Sequence, residues 1–259
     1  MILMPTQLKN IIFLLLTVVS LSSCQSQRQL VWEDNFDGDN LNSDIWNFEL
    51  GDGCPNLCGW GNNELQIYTQ DNHELKDGFL TIKARHENGG YSSSKINTQG
   101  KREFQYGKIE VKAKLPTGKG LWPAFWMLGS NIKEVGWPLC GEIDILEYVG
   151  KEPETIFTTL HTKDSHGSSI NTRKDVVKGI EDGFHVYAID WTKDKIDFYI
   201  DNKLFYSFTP KNKSVEVWPF DQPYYMILNV AVGGNFGGTE VDESIFPQEF
   251  VIDYVRVYQ

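Results

Sequence analysis

Cysteine is scarce in this chain: of its 259 residues only Cys24, Cys54, Cys58 and Cys140 are cysteines. Their spacing lacks the paired CxxC elements of a structural zinc site. If Cys24 is set aside, for a reason given below, three thiols remain, which an oxidising compartment would allow to form one disulfide with one group unpaired. Cys54 with Cys58 is one such pairing, and Cys140 equally reads as a buried thiol beside an acidic strand. Basic side chains are also in deficit, 24 Lys and Arg against 35 Asp and Glu, for a formal charge of -11. That balance argues against nucleic acid or another polyanion as the partner and suits a neutral one. No internal repeat and no low-complexity linker divides residues 25–259, a length within the range of one large domain. No long stripe of period 3.6 follows the N-terminal region either, so the apolar residues must be buried in some way other than helix on helix.

The N-terminal region is set apart from the rest. Lys9 precedes an apolar run from Ile11 to Leu21 that is too short to cross a bilayer and ends in small residues. It reads as an export signal. Its end, "LSSC" at Leu21 to Cys24, resembles the bacterial lipoprotein signal, in which the cysteine is lipidated and becomes the mature N-terminus. Residues 1–24 are then the signal, 25–30 a short polar tether and 31–259 the folded domain. An ordinary secretory signal with a chance cysteine is the alternative, and either one takes the protein out of the cytoplasm.

What the chain has in quantity is strand signal. In "KIEVKAKL" Ile109, Val111, Ala113 and Leu115 alternate with Lys108, Glu110, Lys112 and Lys114, the pattern of a half-buried strand. Similar runs are expected at 79–85, 124–128, 142–149, 155–161, 185–191, 196–200, 204–208, 224–232 and 250–258, and Asp201-Asn202 reads as a tight hairpin turn. The fold class is all-β, two packed antiparallel sheets, with loops at 51–64, 86–102, 163–182 and 233–248 able to wall a groove.

One strand carries charge where apolar residues dominate. In "GEIDILEYVG", residues 141–150, alternation points Glu142 and Asp144 to one face and Ile143 and Ile145 to the other. Strict alternation would then drive Glu147 into the core, where an unpaired carboxylate is expensive. A β-bulge near Ile145 and Leu146 would insert one residue and return Glu147 to the face of Glu142. Two neighbouring glutamates with an aspartate between them suit retaining glycoside hydrolysis, in which carboxyl groups about 5–5.5 Å apart act as nucleophile and acid/base. Their mutual repulsion keeps one protonated while the other is ionised. A solvated strand face or a cation site is the plainer reading of the spacing alone.

The surrounding sequence resembles glycoside hydrolase family 16, and within it the bacterial laminarinases. The resemblance rests on "GEIDILEYVG", which fits a bulged E-x-D-x-x-E signature, on "GLWPAFWMLG" at 120–129, on "GWGNNELQIYT" at 59–69 and on the closing "VIDYVRVYQ". It extends from about Val31 to Gln259. It implies a β-jelly roll with a substrate cleft on a concave sheet, with Glu142 as nucleophile, Glu147 as general acid/base and Asp144 assisting them. The extra residue in the acidic motif favours the laminarinase side over the mixed-linkage glucanases, and relatives that act on agarose or carrageenan are further alternatives. From a different class, a glycan-binding lipoprotein could use the same groove, although it would have no need of paired glutamates.

A sugar ring offers apolar C–H faces and a rim of hydroxyls, so a glycan cleft needs aromatic platforms and polar groups. Trp122 and Trp126, four apart, share a strand face if the strand is regular, and they match aromatic cleft positions of the family; a Trp-rich core is the alternative. Trp60, in a Gly- and Asn-rich loop, is placed at a cleft edge, with Asn63 and Glu64 after it to bind hydroxyls or, for Asn63, to form a turn. His161 ends the strand after the acidic one and comes close to Glu147 if the two are antiparallel neighbours. Arg85 resembles a sugar-binding arginine of laminarinases, and Asn229 is a further cleft candidate. "GGNFGG" at 233–238 lacks the Lys-Ser/Thr ending of a phosphate loop and reads as a cleft rim. The family also implies a structural calcium on the convex side, at Glu33, Asp253 and the backbone of Gly78, where surface salt bridges would serve as well. Two carboxyl groups suffice for the chemistry, so no catalytic cofactor is expected. The expected partner is a neutral β-glucan, with membrane contact through the lipid alone and the protein acting as a monomer.

Overall fold

A computed structural model describes residues 28–259. Cys24 and the export segment therefore lie outside the described residues, as does the first half of the expected tether. Its second half belongs to the domain: Gln29 exchanges backbone hydrogen bonds with Gln259, and Leu30 opens the strand Leu30–Asp34.

Two sheets form a sandwich. Ten strands make one, with a main path Lys203–Phe208, Ile196–Ile200, His185–Trp191, Gly107–Lys114, Gln248–Tyr258, Phe79–Glu87, Gly90–Ser93 and Gln66–Tyr68. Eight make the other: Thr172–Val176, Thr155–His161, Glu142–Tyr148, Leu121–Gly129, Tyr224–Val232, Lys95–Asn97 and Asn47–Glu49 in order, with Glu103–Phe104 beside Tyr224–Val232. All pairings are antiparallel except Gln66–Tyr68 with Gly90–Ser93. This is the jelly roll that the alternating runs imply. The hairpin turn at Asp201-Asn202 has positive φ at both residues, 48° and 63°, as a two-residue primed turn requires.

Alternation decides what each sheet buries. From the eight-stranded sheet Phe125, Met127, Ile143, Leu146, Leu228 and Val230 enter the core with no exposed surface, and Ile109, Val111, Ile189 and Ile252 meet them from the other. Each such aliphatic side chain contributes roughly 1.5–3 kcal/mol. The 86–102 and 163–182 segments, expected as loops, contain the strands Gly90–Ser93, Lys95–Asn97 and Thr172–Val176. These strands are too short, or in the last case too uniformly exposed, to show a period of two.

Candidate active site

The acidic strand is bulged where its sequence requires it. Against Thr155–His161, Asp144 pairs with Thr159 and Glu147 with Phe157, so Ile145 and Leu146 together face Thr158. Against Leu121–Gly129, Trp126 pairs with Asp144 and Phe125 with Leu146, leaving Ile145 as the inserted residue. The Thr158 hydroxyl donates to the carbonyl of Asp144 at 2.7 Å, a buried bond that ties down the strand at the bulge. Without the insertion, Glu147 would project beside Ile143 and Leu160. Burying a charge there costs several kcal/mol, more than the one or two regular ladder bonds that a bulge gives up.

Residues directly opposite each other share a face, so the register defines a continuous surface on the outside of the eight-stranded sheet. Phe157, Thr159 and His161 lie beside Glu147, Asp144 and Glu142; next come Trp122, Ala124, Trp126 and Leu128, then Asn229, and finally Lys95 and Glu49. Six residues singled out from sequence are thus brought to this face from three strands, Glu142, Asp144, Glu147, Trp122, Trp126 and Asn229, and His161 from a fourth.

The three carboxyl groups differ in their donors. Trp137 Nε1 donates to Glu142 Oε2 at 2.6 Å, and Trp122 Nε1 donates to Glu147 Oε1 at 3.0 Å. His161 Nε2 stands 3.2 Å from Asp144 Oδ2 and 4.0 Å from Glu142 Oε1, between the two rather than beside Glu147. Asp144 Oδ2 and His161 Nδ1 are buried with no hydrogen-bond partner in the protein. All three acids hold protons more tightly than usual. Burial and then the Asp144 charge push Glu142 up to about 8, and burial pushes Asp144 to about 7. Burial, reinforced by Asp144 and Glu142, raises Glu147 well above the carboxylate range. Each glutamate accepts from an indole and feels His161, but Glu142 has the shorter indole bond, 2.6 Å against 3.0 Å, whereas Glu147 is raised by the charges of both Asp144 and Glu142. The geometry therefore favours ionisation at Glu142 and retention of a proton at Glu147.

Aromatic walls stand at either end of the acidic strand. At the Glu142 end Trp137 packs edge-on to His166, ring centroids 5.3 Å apart. At the Glu147 end Phe236 packs against both Trp122 and Phe157, at 5.2 and 4.9 Å. Towards Asn229 a polar chain runs from Trp126 Nε1 to Asn229 Oδ1 at 2.7 Å, from Asn229 Nδ2 to the Tyr68 hydroxyl at 3.0 Å, and on to Glu64. Burial raises the pKa of Glu64, which accepts from Gln66 and Asn62 as well. Lys95 Nζ pairs with Glu49 at 2.9 Å and lies 4.2 Å over the Trp60 ring, whose own Nε1 is buried without a partner. Trp60 thus reaches the cleft edge.

Other expectations are corrected. Arg85 is on the ten-stranded sheet opposite Ser92, on the side of its strand away from the buried Leu80, Ile82 and Ala84, and near Glu74; Lys95 is the basic residue of the acidic face. Asn63 has φ of 57° and gives its amide to Asn235 at 2.8 Å, so it shapes a turn and pins the 233–238 loop. Glu33 is paired with Arg256 at 3.0 Å and Asp253, in a second bulge, with Lys112 at 2.7 Å. These are the surface ion pairs that stood as the alternative to a calcium site, and Gly78, with φ of 77°, serves a tight turn. Cys54 and Cys58 form a disulfide, and Cys140 is a buried thiol next to the acidic strand. Sequence reasoning missed Trp137, Lys95, Tyr68 and Phe236. A tryptophan five residues before Glu142 was a legible signal, but the lysine of a three-residue strand was not.

Paired carboxyls with unequal proton affinity, set among indole rings on an open sheet face, are the equipment of a glycoside-cleaving enzyme. Residues 61–256 match Glycosyl hydrolases family 16, and the chain belongs to that family. It is 39% identical to a beta-glucanase of Rhodothermus marinus, over 95% of this chain and 93% of the relative. Among solved structures it is similar to a laminarinase from Flavobacterium sp. UMI-01, with 64% identity, a TM-score of 0.88 and coverage of 89% of this chain and 100% of the other. It is also similar to the laminarinase catalytic domain of Thermotoga maritima MSB8, with 43% identity, a TM-score of 0.83 and coverage of 90% and 98%.

Proposed function

We propose that this protein is an endo-acting hydrolase that cuts internal β-1,3 bonds of laminarin-like glucans with retention of configuration. The observation that carries the reading is the bulge, which sets Glu142, Asp144 and Glu147 on one face with different donors to each. The laminarinase and glucanase names of the relatives support the substrate. Glu142 attacks the anomeric carbon while Glu147 gives its proton to the leaving oxygen. Water then enters as Glu147 takes a proton back, and the glycosyl ester is released. Asp144 lies between the two and shares a hydrogen bond with Glu142. Trp122, Trp126 and Trp60 supply platforms, and Asn229, His161 and Lys95 supply polar contacts. The chemistry requires no cofactor, and all the groups it uses come from one chain, which suits a monomer.

The discriminating experiment is the time course of products from laminarin, barley mixed-linkage glucan and agarose. Early release of an oligosaccharide ladder from laminarin is expected. Cleavage of only one of the other polymers would overturn the substrate assignment, and silence on all three would favour a glycan-binding role. We also propose that Cys24 is lipidated and holds the enzyme at the bacterial cell envelope. Cys24→Ala should move it from the detergent fraction to the soluble fraction of cells, and an unchanged distribution would refute the anchor.

A further inference from the structure

Trp137 is out of place by the usual logic of burial. It is 47% exposed, yet its indole N–H makes a 2.6 Å hydrogen bond to Glu142 Oε2. Its ring is held between His166, edge-on at 5.3 Å, and His161, at 6.1 Å. The indole is therefore fixed in orientation by neighbours while little of the core depends on it. On the other side of the carboxyl group, Oε1 lies 4.0 Å from His161 Nε2. The two oxygens of Glu142 are thus distinguished: Oε2 is capped by a neutral donor that cannot give up its proton, and Oε1 is left as the atom able to bond to carbon.

We propose that Trp137 is a positioning residue that speeds release of the sugar from Glu142, acting mainly in the second half of the reaction. The inference rests on Glu142 being the nucleophile. In the first half, an ionised Glu142 loses charge as Oε1 bonds to the anomeric carbon and the glycosidic C–O bond breaks, its electron pair leaving with the oxygen that Glu147 protonates. A donor at Oε2 is then strongest in the ground state and gives the step no advantage. In the second half the order is reversed. Water bonds to the anomeric carbon, its proton passes to Glu147, and the C–Oε1 bond breaks with its electron pair returning to Glu142. Negative charge grows on the carboxyl group, and the N–H already aimed at Oε2 meets it without reorganisation. A hydrogen bond to a charged group, lost only in that transition state, is worth about ten- to a hundred-fold in rate.

The test is Trp137→Phe, which keeps an aromatic platform and removes the donor. With a 2,4-dinitrophenyl β-laminarioligoside as the probe, we expect kcat and KM to fall together by about ten- to a hundred-fold, with kcat/KM nearly unchanged. Rapid quenching and intact-mass measurement should show more glycosyl-enzyme than in the wild type, mapped to Glu142. The acid limb of the pH profile of kcat/KM should move upward, because the lost N–H favours the ionised carboxyl. A fall in kcat/KM as large as that in kcat, without accumulation of the intermediate, would overturn the proposal and leave Trp137 as a substrate platform. If neither protein is ever labelled on Glu142, the nucleophile assignment fails and the proposal with it. Label on Glu142 in both, with equal release rates, overturns the proposal alone.

Discussion

The outer faces of the two sheets are made from the same alternating pattern and treat charge in opposite ways. On the ten-stranded sheet many charges are answered within the protein: Lys108 by Glu110 at 2.6 Å, Lys112 by Asp253 at 2.7 Å, Arg256 by Glu33 at 3.0 Å and Lys195 by Asp197 at 2.5 Å. On the eight-stranded sheet three acids are crowded together around His161, whose Nδ1 is buried without a partner, as is Nε1 of Trp60 in the neighbouring loop. A protein that leaves such groups unsatisfied gives up stability, and it does so where a ligand can complete the bonding. What sets the acidic face apart is that its unsatisfied atoms lie among three crowded carboxyl groups.

The largest effect should come from removing an acid. Glu142→Ser and Glu147→Ser are expected to lose at least about a thousand-fold in hydrolysis of laminarin, while affinity measured by calorimetry is retained. A variant still cutting near the wild-type rate would erase the difference between the faces as far as catalysis is concerned.

A smaller effect, of opposite sign, is expected in stability. A carboxyl whose native pKa is raised binds more protons folded than unfolded, so its contribution is complete below the unfolded value near 4.5 and is lost as pH rises through the folded one. Stability should fall from about pH 4.5 through pH 8, as Asp144 and then Glu142 ionise near 7 and 8. Glu147→Gln, which cannot ionise, should gain about 1–2 kcal/mol at pH 8, or roughly 2–8 °C in Tm, and little at pH 4. An equal gain at both pH values would mean that packing and not charge is responsible.

The comparison also explains what could be read in advance. The bulge was legible because the choice was between a bulge and a carboxylate in the core, a difference of several kcal/mol. Trp122 and Trp126 were legible because a regular strand fixes which face they share. Arg85 was misplaced, and Asn63 left between two readings, for a different reason. Nothing in a local run says which of two sheets a strand joins, and an Asn with positive φ serves its own turn as readily as a ligand. Lys95 was hidden because a strand of three residues has no measurable period, and its partners, Glu49 and Trp60, are more than thirty residues away in sequence. Pairing at a distance was likewise hidden at Glu33 and Asp253, which look available in sequence until the register brings Arg256 and Lys112 to them.

The smallest effect should therefore come from the answered face. Lys112 and Asp253 are both partly exposed, at 36% and 29% of their side chains, and such pairs are worth about 0–1 kcal/mol because water already solvates each charge well. Lys112→Met should change Tm by no more than about 4 °C and leave hydrolysis of laminarin unaltered. It also frees Asp253, which gives the calcium question a direct form. If ion pairing is what keeps the metal out, millimolar calcium should leave the Tm of the wild-type protein unmoved. A rise in wild-type Tm with calcium would show that Asp253 and Glu33 abandon their basic partners for the ion. The outer sheet would then be, like the catalytic one, a face completed by something from solution.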